Sequence, residues 1–283
     1  MRRFFTFLLL LPVTLSLIAQ DGLLWKISGN GLKKESYLFG TIHMICEEDL
    51  FIPDNLTIVF NKIDKLFLEL DLTDPSILQA IMSKSMDPAM VEAYGEFEPE
   101  IAEKIDAMLN EALGVGFDQM KMMKPFALTS ILSQSLLDCE NKTAYETVFV
   151  DMAKQQENKV VIKGLETVDF QLGLFDSIPL EEQLQSLKEL IREFEESRVF
   201  MKKMVEMYLK QDLKRLYRLI EEDKTFADLS DEFIVKRNAT WIPVIEKNMK
   251  SGSCLFAVGA GHLPGEKGVI ELLREKGYTV KAH

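Results

Sequence analysis

The sequence predicts an α/β domain in which short apolar strands alternate with longer helical segments. Strand-like apolar runs occupy residues 23–28, 36–42, 65–71, 160–165, 253–259 and 278–280. Between them, apolar residues recur every three or four positions, which is typical of amphipathic helices. Strands interleaved with helices indicate an α/β fold, and the longest helical stretch predicts a helix-rich insertion around residues 75–225.

The elements follow one another with recognisable boundaries. The first two strands are predicted to form a β-hairpin, because the Asn-Gly pair at residues 30–31 is a strong turn signal. Helical spacing then runs from Pro75 to Leu113, with interruptions at Pro88 and Pro99. Further helices are predicted over residues 125–137, 144–156, 181–222 (a helical pair or one long helix), 231–250 and 268–276.

Composition excludes several classes of protein. With 283 residues, 47% of them hydrophobic and 28% charged, the chain is neither disordered nor fibrous. Its 33 Lys and Arg against 45 Asp and Glu leave a net charge of −12. So acidic a chain is not expected to bind nucleic acid, because affinity for phosphate requires a basic face.

The N-terminus predicts export. Arg2 and Arg3 precede an apolar run from Phe4 to Ala19, which at 16 residues is shorter than the roughly 20 that span a bilayer. We interpret residues 1–19 as a cleavable signal peptide, with an uncleaved anchor as the alternative. The mature chain, residues 20–283, is then expected to be extracytoplasmic (periplasmic or secreted), with no stable membrane span.

Three cysteines, Cys46, Cys139 and Cys254, cannot form a closed disulfide framework because their number is odd. None lies in a CxxC spacing that would indicate a thiolate metal site. The favoured interpretation is three small buried residues. One disulfide plus a free thiol is the alternative.

Two strands end in the same motif, Gly-x-x-His. SYLFGTIHM at 36–44 and CLFAVGAGHL at 254–263 place His43 and His262 in equivalent positions just beyond a strand. The chain's third histidine, His283, is its last residue. A lone motif of this kind is usually a turn or a satisfied core histidine, so the matched pair is what favours a functional interpretation.

Two further strands end near a carboxylate. Glu69 lies within KLFLELD, and Glu166 follows VVIKGL. Because ligands in open α/β sheets bind beyond the carboxyl ends of the strands, two histidines and two glutamates are expected to converge. Such a set suits Zn²⁺, Mn²⁺, Co²⁺ or Fe²⁺. Alternatively, Glu69 is an edge-strand residue paired with a lysine, and Glu166 a carboxylate near the start of a helix at Thr167.

The order of these motifs, LLWKIS, SYLFGTIHM, LFLELD, GLETVDFQ, KRNATWI and FAVGAGHLPGEKGVIELLREKGYTV, resembles the TraB/PrgY/GumN family. That family includes the Tiki metalloproteases and is distantly related to ChaN-like haem-binding proteins and erythromycin esterases. The resemblance implies a single domain with a central mixed sheet wrapped by helices, and a peptidase that depends on Mn²⁺ or Co²⁺. It assigns the paired histidines to His43 and His262, the acidic positions to Glu69 and Glu166, and the Arg-Asn pair to Arg237 and Asn238.

The resulting prediction is a secreted metal-dependent hydrolase, a Tiki-like metallopeptidase acting on a peptide or small molecule. His43, His262 and one glutamate hold a divalent metal, and the other glutamate is the general base. Arg237 stabilises the oxyanion or holds a substrate carboxylate. The alternatives are a non-catalytic extracytoplasmic protein that binds metal, haem or peptide, with His43 or His262 as an axial haem ligand, and an interaction protein with a vestigial site.

Overall fold

The computed structural model describes residues 22–222 and 230–283. The predicted signal peptide, residues 1–19, and the last residues of the predicted insertion therefore lie outside the described residues. The described strands are β1 Leu24–Gly29, β2 Ser36–Thr41, β3 Ile45–Cys46, β4 Lys65–Leu68, β5 Lys142–Thr143, β6 Val161–Gly164, β7 Cys254–Gly259 and β8 Tyr278–Ala282. Six of them form one sheet in the order β6-β4-β7-β2-β1-β8, while β3 and β5 pair separately. The predicted α/β class with a mixed sheet is confirmed.

Helices account for most of the remaining described chain. They are α1 Asp54–Phe60, α2 Pro75–Lys84, α3 Met90–Gly95, α4 Pro99–Leu113, α5 Phe117–Met120, α6 Pro125–Leu132, α7 Tyr145–Lys154, α8 Val168–Asp176, α9 Leu180–Arg192, α10 Phe194–Leu209, α11 Leu213–Glu222, α12 Arg237–Met249 and α13 Val269–Glu275. Short 3₁₀ turns cover Glu47–Asp49, Ser133–Leu136 and Ala260–His262, and a π-turn covers Asp231–Lys236 just before α12.

The predicted hairpin forms as expected. β1 pairs antiparallel with β2, and the chain reverses through Gly29, Asn30 and Gly31, which all have positive φ. Glycine and asparagine tolerate this left-handed conformation better than other residues.

The prediction of one or two helices over residues 181–222 is wrong, because three helices, α9, α10 and α11, form there. The break before α11 falls at Gln211, whose φ is 56°.

The four strands β6, β4, β7 and β2 are neighbours, and each is parallel to the next. Their carboxyl ends therefore lie along one edge of the sheet. The register aligns Thr41 of β2 with Gly259 of β7, and Leu68 of β4 with Gly164 of β6. The residues that follow these four strands are consequently brought next to one another.

Apolar residues of the described chain pack into separate clusters. The largest lies against the sheet and contains its fully buried aromatic residues, among them Phe39, Phe67 and Phe256. A second cluster is built by α3, α4, α6 and α9 within the helix-rich region, around Ile105 and Leu187. The helical region thus buries apolar surface of its own rather than merely covering the sheet.

The favoured interpretation of three unpaired buried cysteines is wrong. Cys46 and Cys139 form a disulfide with their Cα atoms 5.9 Å apart, and Cys254 is a buried free thiol. The pairing becomes possible because β3 and β5 bring Cys46 opposite Lys142, three residues beyond Cys139. The alternative of one disulfide and one thiol is the arrangement present.

No helix within residues 22–222 and 230–283 has both the length and the apolar character that crossing a membrane requires.

Candidate functional site

The site lies at the sheet edge where the four parallel strands end. Glu69 directly follows β4, Glu166 lies two residues beyond β6, and His43 lies two residues beyond β2. His262 closes the 3₁₀ turn that follows β7. The fifth component, Arg237, begins α12 and inserts its side chain between the two glutamates.

Glu69 is buried, and its carboxylate is held from several sides. One oxygen, Oε1, accepts a hydrogen bond from the backbone N–H of Gly259 at 2.9 Å. The other, Oε2, accepts from Gln171 at 3.1 Å and from Arg237 at 2.5 Å. Burial alone would raise the pKa of Glu69, but the charge of Arg237, together with His43 and the backbone N–H of Gly259, outweighs burial and holds this pKa well below its usual range. Glu69 is therefore an ionised partner of an arginine, not an edge-strand partner of a lysine.

Glu166 occupies the other side of the arginine. Its Oε1 accepts from Arg237 Nη2 at 2.6 Å, and its Oε2 accepts from the indole of Trp241 at 2.8 Å. Burial raises the pKa of Glu166, opposed by the bonds from Arg237 and Trp241 and reinforced by the charge of Glu69. The start of α8 is capped instead by Thr167, whose hydroxyl accepts from Phe170 N. Glu166 is thus a site residue rather than a helix-capping group.

Arg237 joins these groups into one network. Its Nε and Nη2 donate to Glu166, and Nη2 also donates to Glu69. Its Nη1 lies 3.2 Å from His262 Nε2 and 3.4 Å from the carbonyl oxygen of Phe233 in the π-turn. The donors of this buried guanidinium are therefore directed at protein acceptors. Its predicted role as an oxyanion donor stays a prediction, and it requires one of these contacts to be released.

Asn238 fixes the orientation of His262. The Asn238 amide donates to the carbonyl oxygens of His262 and Lys267, so its Oδ1 is the acceptor that lies 2.7 Å from His262 Nδ1. Nδ1 consequently carries the proton and Nε2 presents a lone pair. Burial lowers the pKa of His262 to about 3, and the ring packs 4.5 Å from that of Trp241. His262 is a neutral imidazole, the form that binds a metal.

His43 lies on the open side of the site. Its side chain is 71% exposed, and its Nδ1 lies 3.4 Å from Oε1 of Glu146, which also accepts from the Thr41 hydroxyl at 3.0 Å. The hydrogen bond to Glu146 raises the pKa of His43, the opposite of the shift at His262. Among the two histidines and two glutamates of the site, His43 is the one whose side chain is open to solvent.

The absent side chain of Gly259 leaves a space among these groups. A Cβ at this position would lie 3.5 Å from Glu69 Oε1, 3.5 Å from His262 Cδ2 and 3.7 Å from His43 Nε2. All of these are ordinary van der Waals distances. Both histidines and one carboxylate therefore border the same small volume, whose floor is the backbone of β7.

The side chains around this volume are of the types that bind a metal, but their donor atoms are not directed at a common point. His262 Nε2 and Glu69 Oε1 are 4.0 Å apart, and Arg237 contacts both residues. Across residues 22–222 and 230–283, no three His, Cys, Asp or Glu side chains are arranged so that they could hold an ion together. The predicted ligand and catalytic roles of His43, His262, Glu69 and Glu166 stay predictions.

Sequence reasoning missed Glu146, Gln171, Thr41 and Trp241 as members of the site. A weak signal existed for the first, because the tripeptide Glu-Thr-Val occurs at both 146–148 and 166–168, each time near the start of a helix. Gln171 and Trp241 occur at a helical spacing from Thr167 and Arg237, which places each on the same helix face as its predecessor. None of these signals identifies which atoms meet.

Comparisons with known proteins identify the family of the chain. A family model described as the TraB/PrgY/gumN family matches residues 23–282. An uncharacterized protein of Treponema pallidum (strain Nichols) is 22% identical over 91% of this chain and 81% of its own length. Metalloprotease TIKI1 of Danio rerio is 23% identical over 92% of this chain and 63% of its own, and metalloprotease TIKI2 of Xenopus tropicalis is 24% identical over 87% and 57%. No solved structure matches with comparable significance.

Proposed function

The chain belongs to the TraB/PrgY/gumN family, and we propose that it is an exported metal-dependent hydrolase that cleaves peptide bonds. The observation that carries the proposal is that both histidines and Glu69 border one open volume at Gly259. The relatives named metalloproteases support a peptide as the substrate class. The chain spans about three fifths of those relatives' length.

We assign His43, His262 and Glu69 as the residues that would hold the metal. Two imidazoles and a carboxylate suit Mn²⁺, Co²⁺, Zn²⁺ or Fe²⁺. A metal held there would supply Lewis-acid activation of water, which would provide a nucleophile at neutral pH. Asn238 holds the proton on Nδ1 of His262, so Nε2 keeps the lone pair that a metal ligand needs, and Arg237 Nη1 must move away before a metal can take its place.

Of the two glutamates, Glu166 is the better candidate for the proton-transfer role. Its pKa is raised, whereas that of Glu69 is held low, so Glu166 is the carboxylate with the greater affinity for a proton. General base catalysis by such a group contributes roughly 10²–10⁴-fold. Arg237 then acts by holding both carboxylates and His262 in place.

The disulfide supports the exported location. Bonds such as Cys46–Cys139 persist in oxidising compartments and are rare in the cytosol. Cleavage of the predicted signal peptide after residue 19 is therefore part of the proposal.

The test is peptide hydrolysis by the chain from Gln20 onward, cleared of metal and reloaded with Mn²⁺ or Co²⁺. We expect the wild type to cleave members of a peptide library and His43→Ala to lose this activity. His283→Ala is the matched control, because it removes the histidine that lies outside the site. Full hydrolysis by His43→Ala in a clean preparation would contradict the assignment.

A second candidate is a binding protein that captures metal, haem or peptide without turnover. It is favoured by the arginine contacts, which engage both Glu69 and His262 in the described arrangement. Stoichiometric metal binding with no cleavage of the library would support it over the hydrolase. A Soret band that appears on titration with haem and is lost in His43→Ala would identify haem as the ligand.

A further inference from the structure

We propose that Glu146 is a positioning residue that orients His43 toward the site, and that the Cys46–Cys139 disulfide holds together the two segments that carry them. The inference deepens the proposed function and rests on it only where metal affinity is concerned.

The contacts of Glu146 are those of an anchored acceptor. Its side chain is only 12% exposed, and Oε1 accepts from the Thr41 hydroxyl at 3.0 Å. Thr41 ends β2 and is itself buried, so the carboxylate is tied to the rigid sheet. The same oxygen lies 3.4 Å from Nδ1 of His43. The carboxylate of Glu146 thereby connects the exposed ring of His43 to the buried end of β2.

This link determines which nitrogen of His43 faces the site. When the neutral ring donates its Nδ1–H to Glu146, Nε2 is left with a lone pair. Nε2 is the atom that lies 3.7 Å from the position of a Cβ on Gly259. A carboxylate behind an imidazole commonly fixes the tautomer and direction of a metal-binding histidine in this way. Asn238 does the same for His262 from the opposite side.

Covalent and hydrogen-bonded constraints keep Glu146 near His43. Glu146 lies in the first turn of α7, which follows β5, and His43 lies two residues before β3. β3 and β5 pair with each other, and the disulfide joins Cys46 of β3 to Cys139, three residues before β5. The two cysteines are 93 residues apart in the sequence. The disulfide therefore keeps close together two segments that the chain itself connects only through a long stretch.

Side-chain NMR of the metal-free chain tests this directly, because it contains only three histidines. Long-range ¹H–¹⁵N spectra, recorded at a pH where His43 is neutral, distinguish the Nδ1–H from the Nε2–H tautomer. We expect Nδ1–H at His43 in the wild type and in Glu146→Gln, which retains an acceptor oxygen. We expect a shift toward Nε2–H, the tautomer preferred in water, in Glu146→Ala. Asp151→Ala, an exposed carboxylate on the same helix, is the matched control and should resemble the wild type.

The His262 resonances show whether each variant is folded, since its Nδ1–H tautomer depends on Asn238 and not on Glu146. Titration with Co²⁺ then gives a second readout. We expect Glu146→Ala to bind about 10–100-fold more weakly than the wild type, with Glu146→Gln in between. An unchanged His43 tautomer in a folded Glu146→Ala would overturn the inference, whatever the metal affinity. A tautomer shift in a chain that binds no Co²⁺ would support the positioning role while the proposed metal-dependent function fails.

Discussion

The two Gly-x-x-His motifs follow neighbouring parallel strands, yet they place their histidines in opposite environments. His262 is 4% exposed, with Nδ1 bonded to Asn238 and Nε2 close to Arg237. The side chain of His43 is 71% exposed and rests on Glu146. The same local sequence therefore yields one histidine held by the core and one held at the surface.

The difference follows from what packs against each strand end. α12 covers the end of β7 and supplies Arg237 and Asn238, whereas the disulfide-linked segments flank the end of β2. Buried polar contacts with Arg237 and Asn238 hold His262 in place. His43 rests on the carboxylate of Glu146, in segments that the Cys46–Cys139 disulfide joins. The core therefore holds His262 in one position, whereas His43 is open to solvent.

Breaking the buried network should have the largest effect on stability. Arg237→Met leaves Glu69 and Glu166 buried without their counter-charge, and we expect it to lower the free energy of unfolding by about 3–5 kcal/mol. Urea unfolding measures this loss. Lys236→Met, which changes the exposed neighbour, should stay within ~0.5 kcal/mol of the wild type. Equal losses in both variants would contradict the buried network.

Removing the Cys46–Cys139 disulfide should lower the free energy of unfolding by less than removing Arg237 does. We expect Cys46→Ser/Cys139→Ser to lower the free energy of unfolding by about 2–4 kcal/mol, because the bond restricts the unfolded chain. Reduced wild type should unfold at the same urea concentration as the double variant. If oxidised and reduced wild type unfold at the same urea concentration, the Cys46–Cys139 bond does not stabilise the fold and this prediction is wrong.

The two histidines should give stability slopes of opposite sign with pH in metal-free protein. His262 has a folded pKa lowered from 6.5 to about 3, so the unfolded chain binds more protons and stability falls as pH decreases across that interval. His43 has a pKa raised from 6.5 to about 9, so its contribution is full below 6.5 and is lost as pH rises toward 9. Because His43 is exposed, solvent screens its charge, and we expect the stability of the protein to change less with pH on the alkaline side than on the acid side.

Unfolding measured at several pH values checks both slopes. His262→Gln should flatten the acid side and leave the alkaline side, and His43→Gln should do the reverse. A single variant that flattened both sides would mean that the histidines are not in separate environments.

The smallest stability change is expected at Gly259, where function should nevertheless be lost. Its φ of −50° suits alanine, and the added methyl meets its neighbours at 3.5–3.7 Å. We therefore expect Gly259→Ala to stay within ~0.5 kcal/mol of the wild type in unfolding while it fills the volume between the histidines. Loss of hydrolysis and of metal binding would follow. Gly173→Ala, on an uncrowded helix position, is the control that should keep both.

Much of this arrangement is predictable from the sequence. The apolar runs that precede His43, Glu69, Glu166 and His262 mark four strand ends, and the rule for ligand positions in α/β sheets places those ends together. The resemblance to known motifs adds Arg237 and Asn238. The convergence of these side chains is predictable because it depends on short segments and on a general property of parallel sheets, whereas their ligand and catalytic roles stay predictions.

What the sequence does not reveal depends on contacts between distant segments. The pairing of Cys46 with Cys139 needs the small β3–β5 sheet, whose two-residue strands carry no periodic signal. The meeting of Glu146 with His43 depends on that same pairing. The use of Arg237 by both glutamates follows from strand order, which a single sequence does not specify.

The central claim, that the two histidines serve one metal site, is tested most directly by metal content. The mature chain, purified without chelator or affinity nickel, would be analysed by mass spectrometry beside His43→Ala/His262→Ala and His283→Ala. We predict near-stoichiometric Mn, Co, Zn or Fe in the wild type and in His283→Ala, and its loss in the double variant. A wild type that takes up none of these metals after incubation with each, or a double variant that retains the same metal, would contradict the claim.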